Sequence, residues 1–474
     1  MPTDTEHPRE VVNRMTLDPH ATALPPLEPD PRRRLVAAGI GNFMEWFDFA
    51  VYGFFAVAIG ANFFPSSNPT SSLLSTLAVY GVAFLMRPVG GFVIGAIGDR
   101  RGRRFALMLS VVLMGVATAL IAVLPTYAMV GVTAPILLVL LRCAQGFSAG
   151  GEWTGSAAFL VENAPPHRRG LTASIVPTTA ALAVAAGAAA ALVIQSTVSP
   201  ADITSWGWRV PFLAAFPLTL IGLYMRMKLE DTKVFRDLEA QGAVVESPIR
   251  AVGRSGGRSV AISFALSAIT VLGFYYIATY VTTFLTTTAG MPRLSALVVV
   301  AVGAVIYAAL CPVMGALSDR VGRRPVSLAG GAGLALFSIP AFLLMATGDP
   351  VVAVLGVVLF GLFEAMHNST TTVMLIELFP ASTRSTGSAI GYNLGAAVVA
   401  GPGPLIAAAL AAAGVGVGLP AAYIAAVALV CTVILWFVLP ETRWRDLGPA
   451  PRPDLTRASP STVGEPAVRP TTSA

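Results

Sequence analysis

GAIGDRRGRR, from Gly95 to Arg104, returns as GALSDRVGRR, from Gly315 to Arg324. Each copy joins the end of one long apolar run to the start of the next, and Asp99 and Asp319 stand 220 residues apart. Two further landmarks repeat at nearly that interval. Glu162, Pro165 and Arg169 return 215 residues later as Glu377, Pro380 and Arg384. Glu230-Asp231-Thr232 returns 211 residues later as Glu441-Thr442-Arg443. Three landmarks at nearly one offset describe a chain made of two homologous halves. Such repeats mark secondary transporters, whose substrate site lies near mid-membrane between the repeats.

The composition says what surrounds those halves. Charged residues make up 12% of the 474, against roughly 25% in soluble domains. Hydrophobic residues reach 55%, with 45 glycines besides, and mean hydropathy is +0.72. So little charge cannot cover a water-facing surface, and lipid is the expected solvent. The net charge of +6 sits in short clusters between apolar runs, which is not the continuous basic face of a nucleic-acid binder. Nearly all of it is arginine, since lysine occurs only at Lys228 and Lys233. Cys143, Cys311 and Cys431 lie inside apolar runs, without the spacing of a disulfide framework or metal site. No metal and no cofactor are expected.

A spanning helix needs about 20 mainly apolar residues. That template fits near 35–60, 73–98, 105–125, 131–160, 169–197 and 208–228, then 259–289, 294–317, 325–346, 350–377, 385–413 and 418–440. The expected protein is therefore all-α, with twelve transmembrane helices in two pseudo-symmetric six-helix bundles, 35–228 and 259–440. Residues 1–34 are a polar segment ending in Arg32-Arg33-Arg34, and 229–258 a charged central loop. The tail 441–474, rich in Pro, Ser, Thr and Arg, is expected to be disordered. The first apolar run is longer than the roughly 7–15 residues of a signal-peptide core, so it reads as a retained span. Arginines fill the loops after spans 2, 4, 8 and 10, while the loops near 61–72, 126–130 and 414–417 carry no charge. The positive-inside rule then puts both termini and the central loop in the cytoplasm. The cell membrane is the expected location.

The doubled Gly-x-x-x-Asp-Arg-x-Gly-Arg-Arg loop resembles the most characteristic motif of the major facilitator superfamily, and Arg142-x-x-Gln145-Gly146 is similar to its second one. GNFMEWFDFAVYGFF (Gly41 to Phe55), FLMRPVGG (Phe84 to Gly91), AQGFSAGGEWTG (Ala144 to Gly155) and WGWRVPF (Trp206 to Phe212) resemble its metabolite–proton symporters. Within that branch the similarity, over about 35–440, is to the proline/glycine betaine–proton symporters. The resemblance implies the major facilitator fold, with protons and a small zwitterionic osmolyte as partners and a monomeric transport unit. Small organic acids such as 2-oxoglutarate, citrate or shikimate are the alternative cargo. The osmosensing member of that group has a tail with coiled-coil heptads. Residues 441–474 show no a/d repeat and carry Pro449, Pro451 and Pro453, so this chain departs from that pattern.

An ionisable residue inside a span costs at least a few kcal/mol and needs a partner. Glu45 and Asp48 share a helical face in span 1 with Tyr52 nearby. As proton carriers they would load and release a proton; as structural groups they would pair with a neighbouring arginine. Arg87 and Arg142 cannot shed their charge, so each must meet a carboxylate from the protein or from the substrate. Glu152 in span 4 corresponds to His367 in span 10, where Glu364 and Asn368 extend a polar patch; His367 is an alternative proton relay, since histidine titrates near neutral pH. Tyr275, Tyr276 and Tyr280 in span 7 suggest an aromatic wall for a quaternary ammonium, or simply a lipid-facing surface. Trp46 and Phe49 are further aromatic candidates.

The arginine loops have another task. Asp99 and Asp319 stand at helix ends, where a carboxylate can meet a helix N-terminus. The resemblance implies a latch made by Gly95, Asp99, Arg100, Gly102, Arg103 and Arg104, and again by Asp319, Arg320, Gly322, Arg323 and Arg324. Glu162, Arg169, Glu377 and Arg384 are expected to join it. Positive-inside anchoring alone would account for the arginines but not the aspartates. Gly146-Phe147-Ser148-Ala149-Gly150 matches the G-x-S-x-G nucleophile elbow, but lies in an apolar helix rather than between strand and helix. Close helix packing fits it better. No phosphate-binding GxxxxGK[ST] occurs, so the expected energy source is an ion gradient. A channel or receptor is the rival class, and alternating access between two homologous halves argues against it.

Overall fold

In lipid, no water satisfies the backbone, so helices and closed barrels are the spanning structures available. The computed structural model describes residues 31–228, 230–412, 416 and 418–448, and every regular element among them is helical. Ten helices are each long and apolar enough to cross a bilayer. In the first half these are Ala78–Arg101, Arg103–Val123, Thr133–Glu162, Pro166–Thr197 and Arg209–Met227, here spans 2 to 6. In the second they are Gly257–Thr287, Arg293–Val321, Arg323–Met345 and Pro350–Glu377, spans 7 to 10, and Leu419–Val438, span 12. Span 1 is a bent pair, Leu35–Phe54 and Ala56–Phe63, turning by 71°. Span 11 is interrupted: Arg384–Gly395 runs into a π-helical turn, Ala396–Ala400, and resumes as Gly403–Ala412 beyond Gly401-Pro402. Twelve crossings in two sets of six result, as the sequence implies.

Small residues set the spacing within a half. A β-carbon at Gly146 would stand 1.9 Å from the Ala83 carbonyl oxygen, and one at Gly150 would stand 2.2 Å from that of Arg87. Spans 2 and 4 therefore touch backbone to backbone, the packing that small residues allow in lipid. Ser148, between those two glycines, turns to span 3 and donates to the Ser110 carbonyl at 2.6 Å. It is a helix-packing hydroxyl, its proton given to a backbone carbonyl.

The halves meet through span 2 against span 11 and span 5 against span 8. At the arginine-rich end the doubled loops cross between halves. At the opposite end Arg293 of span 8 donates to the Phe54 carbonyl at 2.7 Å and to Gln195 at 2.9 Å, both in the first half. The interface is thus joined at both ends.

Two stretches differ from expectation. The central loop holds two short helices, Lys233–Ala240 and Pro248–Ser255, the first burying Phe235 and Leu238. Residues 441–448 are ordered rather than the start of a disordered tail: Thr442 and Leu447 are buried, and Arg384 donates to the Leu447 carbonyl at 3.1 Å. The prolines that suggested disorder begin at Pro449, and residues 1–30 and 449–474 lie outside the described residues. Gly146→Val should therefore wreck the span 2–span 4 seam. The expected result is loss of the monodisperse peak in detergent size-exclusion chromatography, and a normal peak would show that the seam can open without cost.

Candidate functional site

A guanidinium taken into the membrane keeps its charge, and Arg87 and Arg142 have each found an anion. Arg87 of span 2, fully buried, lies 2.9 Å from Glu45 of span 1. Arg142 of span 4 lies 2.8 Å from Asp48. The two pairs differ in how tightly the carboxylate is held. Asp48 also accepts from Gln145 at 2.9 Å and from Thr118 at 3.1 Å, while Arg142 stacks over the Tyr52 ring at 4.0 Å. The whole cluster stays inside the first half. Glu45, by contrast, has no ion-pair partner besides Arg87 among the described residues, and neither of its oxygens makes a well-formed hydrogen bond.

Arg87 also reaches across the interface. Its Nε donates to Asn393 of span 11 at 3.4 Å, and its guanidinium lies 5.9 Å from the Tyr392 ring. Around it, rings from the two halves close on one another. Trp46 meets Phe274 at 4.5 Å and Tyr275 at 5.6 Å between centroids, Phe84 meets Tyr275 at 4.6 Å, and Trp153 stacks on Tyr392 at 5.6 Å. Several buried polar atoms make no hydrogen bond in this same place: the indole nitrogens of Trp46 and Trp153, the Tyr275 hydroxyl and Glu45 Oε2. Buried polar groups are almost always satisfied, so such a concentration makes this place the candidate site.

Other candidates fall elsewhere. Glu152 is bound by Arg226 of span 6 and accepts from Ser110 and Ser156, so it is satisfied inside the first half. A β-carbon at Gly41 would collide with that pair, 2.3 Å from the carboxylate. The tyrosine wall divides: only Tyr275 faces the first half. Tyr276 donates to the Pro420 carbonyl at 2.8 Å and Tyr280 to that of Ala407 at 3.2 Å, and both pack on Phe342 inside the second bundle. His367 ties three spans together, with Nδ1 2.9 Å from the Ser327 carbonyl and Nε2 3.1 Å from that of Leu266. Asn368 donates to the Tyr307 hydroxyl at 2.9 Å. Sequence reading did not single out Arg226, Asn393, Tyr392 or Trp153. Arg226 sits at a span's end, where it reads as a membrane anchor, and the others are ordinary helix residues until span 11 is laid on spans 2 and 4.

At the arginine-rich face the two repeats build the same device twice. Asp99 accepts from the backbone N–H groups of Ser385 at 3.1 Å and Thr386 at 2.8 Å, the first turn of span 11. Asp319 accepts from Gly170 at 2.9 Å and Leu171 at 2.8 Å, near the start of span 5. Each carboxylate thus binds a helix N-terminus of the opposite half, where unpaired N–H groups and the helix dipole favour an anion. Gly95 permits the approach, since a β-carbon there would be 3.1 Å from the Ser385 carbonyl. Arg103 joins Asp99 at 3.0 Å to Glu162 at 3.2 Å; Arg323 joins Asp319 at 2.7 Å to Glu377 at 3.4 Å. Arg104 and Arg324 cap the carbonyls of Met227 and Trp436, while Arg100 and Arg320 are exposed. Gly102 and Gly322, at φ +97° and +120°, occupy backbone that favours glycine, and let Asp231 and Glu441 cap spans 3 and 9. Burial pushes the Asp231 carboxyl above its ordinary range despite those N–H donors. Burial also works on Glu441, but donors from Arg323, Arg443, Arg324 and Thr442 outweigh it and hold that carboxyl low. Between the halves the symmetry also breaks. Arg384 crosses to Glu162 at 2.8 Å, whereas its counterpart Arg169 donates to the Arg445 carbonyl of the tail at 2.7 Å.

Known proteins share this architecture. The family model for the Major Facilitator Superfamily matches residues 38–402 and 264–470. The proline/betaine transporter of Escherichia coli K12 is 35% identical over 430 residues, 88% of this chain and 85% of that protein. The glycine betaine/proline/ectoine/pipecolic acid transporter of Dickeya dadantii is 33% identical over 413 residues, covering 84% and 81%. Among solved structures, a proton:xylose symporter bound to 6-bromo-6-deoxy-D-glucose has the same fold, with a TM-score of 0.75 at 19% identity over 88% of this chain and 97% of that one.

The Asp48 cluster makes a stability prediction. Asp48→Asn leaves Arg142 without its anion and sets an amide N–H against the donors of Gln145 or Thr118. Breaking a buried pair costs about 3–5 kcal/mol, so the melting temperature in detergent should fall by many degrees. An unchanged melting temperature would show that Asp48 is not the anchor of this cluster.

Proposed function

The chain belongs to the major facilitator superfamily, and from that membership we propose that it imports small zwitterionic osmolytes, proline and glycine betaine among them, together with protons. It is a multi-pass membrane transporter and not an enzyme. Its relatives are named for proline, betaine, ectoine and pipecolic acid, all compounds that pair a carboxylate with a positively charged nitrogen centre.

The observation that carries the mechanism is the loosely held Glu45–Arg87 pair at the meeting of the halves. Arg87 requires one anion at all times. While Glu45 is ionised, it is that anion. When Glu45 takes a proton, the guanidinium turns to the substrate carboxylate, so proton and substrate enter together. Neither alone leaves the site electrically balanced, which is what couples them. Asp48, held by an arginine, an amide and a hydroxyl, is framework rather than carrier. Arg142 and Tyr52 hold span 1 in register beside it. Tyr275 contributes an aromatic face to the substrate, while Asn368, His367 and Glu152 organise the bundles around it.

Alternating access follows from the doubled latch. Halves 35–228 and 259–440 rock about the site, in one monomeric unit. The arginine-rich face is cytoplasmic, with both termini on that side of the cell membrane. Asp99 and Asp319 on their helix N-termini keep it shut, and releasing them opens the site inward.

The test is uptake of labelled proline and glycine betaine into cells lacking their own osmolyte carriers. Wild-type uptake should collapse with a protonophore. Glu45→Gln should still equilibrate substrate but fail to accumulate it, because a glutamine oxygen can turn to Arg87 but cannot release a proton. Uphill accumulation by that variant would refute the proton assignment. A wild type that reaches the membrane yet takes up neither compound would point instead to organic acids.

A further inference from the structure

Seven buried acids, Glu45, Asp48, Asp99, Glu152, Glu162, Asp319 and Glu377, each have an arginine within ion-pair distance. Glu364 of span 10 does not. It is 0% exposed, and no cation pairs with it among the described residues. One oxygen receives a long contact, 3.4 Å, from the Asn368 amide, and the other has no hydrogen-bond partner. A carboxylate buried in a membrane protein without a cation is costly and marks a functional site.

Its surroundings say which function. The unpartnered oxygen lies against the backbone of span 7, where a β-carbon on Gly273 would stand 2.1 Å from it. The next two residues are Phe274 and Tyr275, the rings that close on Trp46 of the first half. Tyr307, bonded to Asn368, packs on Phe274 at 5.7 Å. Tyr392, on span 11, lies 5.9 Å from the Arg87 guanidinium. A run of aromatic faces therefore leads from a guanidinium in the first half to an unpaired carboxylate in the second.

We propose that Glu364 supplies the negative pole of the substrate site and receives the positively charged nitrogen end of the zwitterion, whose carboxylate goes to Arg87. This rests on the zwitterion reading above. Aromatic faces with an anion behind them suit a quaternary ammonium, which has no N–H to donate and binds by charge and cation–π attraction. The two poles come from different halves, so a bound zwitterion bridges them. A carboxylate lacking the cation would satisfy only one.

The experiment compares glycine betaine with 3,3-dimethylbutyrate, the analogue in which carbon replaces the ammonium nitrogen. Purified full-length protein is titrated with each, and affinity is read from the rise in melting temperature. The wild type should favour betaine by about tenfold or more, and Glu364→Gln should bring the two within about twofold of each other. A merely structural role would weaken both ligands together and leave the preference intact. If Glu364→Gln keeps the wild-type preference, the proposal is overturned even when its proton-driven uptake is lost. A wild type stabilised by neither betaine nor proline but by dicarboxylates would remove the zwitterion reading itself, and this assignment with it. Should Glu364→Gln fail to fold, Phe274→Leu reads the same preference through the adjoining ring, and an undiminished preference there overturns the proposal equally.

Discussion

Arginine cannot be neutralised, and a bilayer charges heavily for an unpaired ion. Those two facts account for most of the polar architecture. Arg87, Arg103, Arg142, Arg226, Arg323 and Arg384 are all essentially fully buried, and each fixes one or more acids from another helix or turn. Helix positions that apolar packing would leave free to slide are pinned by these pairs. The carboxylate can change its charge and the guanidinium cannot. Any movement of protons in this protein must therefore be written on the acids, with the arginines as fixed points.

The latch shows how a repeated sequence turns that chemistry into a joint between halves. Asp99 and Asp319 are each held by an arginine four residues on, within their own half, and spend their remaining acceptor capacity on a helix N-terminus of the other. Backbone N–H groups at a helix start are directional, and they can be vacated without leaving a side chain charged and unpaired, because the aspartate keeps its arginine. Such a contact holds two bodies together yet can be released. Arg384 and Arg169 break the symmetry. The first ties the second half to Glu162, and the second ties the first half to the chain after span 12. The ordered stretch 441–448 is thus part of the closed face, occupying the place that a second cross-half ion pair would fill.

Much of this was legible in the sequence, because repeats and apolar runs report directly on physics that acts along the chain. Twelve crossings, two halves and the doubled loop follow from helix length in lipid and from a near-constant offset. Glu45 and Asp48 on one face of span 1, with Arg87 and Arg142 as their natural partners, could also be listed, though not how firmly each would be held. What depends on rotation about a helix axis was not legible. Tyr275, Tyr276 and Tyr280 look equivalent in a row, yet 276 and 280 share one face, four residues apart, while 275 is turned by about 100° to the other half. Glu152 was a site candidate as the counterpart of His367, and the sequence does not show that Arg226 of span 6 saturates it. Asn393 and Tyr392 carry no signal at all until span 11 is set against spans 2 and 4. The tail to residue 448 is ordered by Thr442, Arg445 and Leu447, whose partners lie far away in sequence.

Duplication hands both halves the same helices, and selection can then treat the inside and the rim differently. At the rim, the proposed cycle has both copies release, and the two loops are alike down to the positive-φ glycine and the acid that caps the following helix. Inside, a substrate with two unlike ends gains nothing from two like pockets. Arg142 has no arginine counterpart, since Val357 stands 215 residues on, and Glu152, saturated by Arg226, is answered by His367 on backbone carbonyls. The first half has kept cations with acids to match, whereas the second offers rings and an acid with no cation. In the proposed cycle, a zwitterion is the one cargo that completes both surfaces at once, and only when it does so are the two bodies drawn together firmly enough for one latch to exchange for the other.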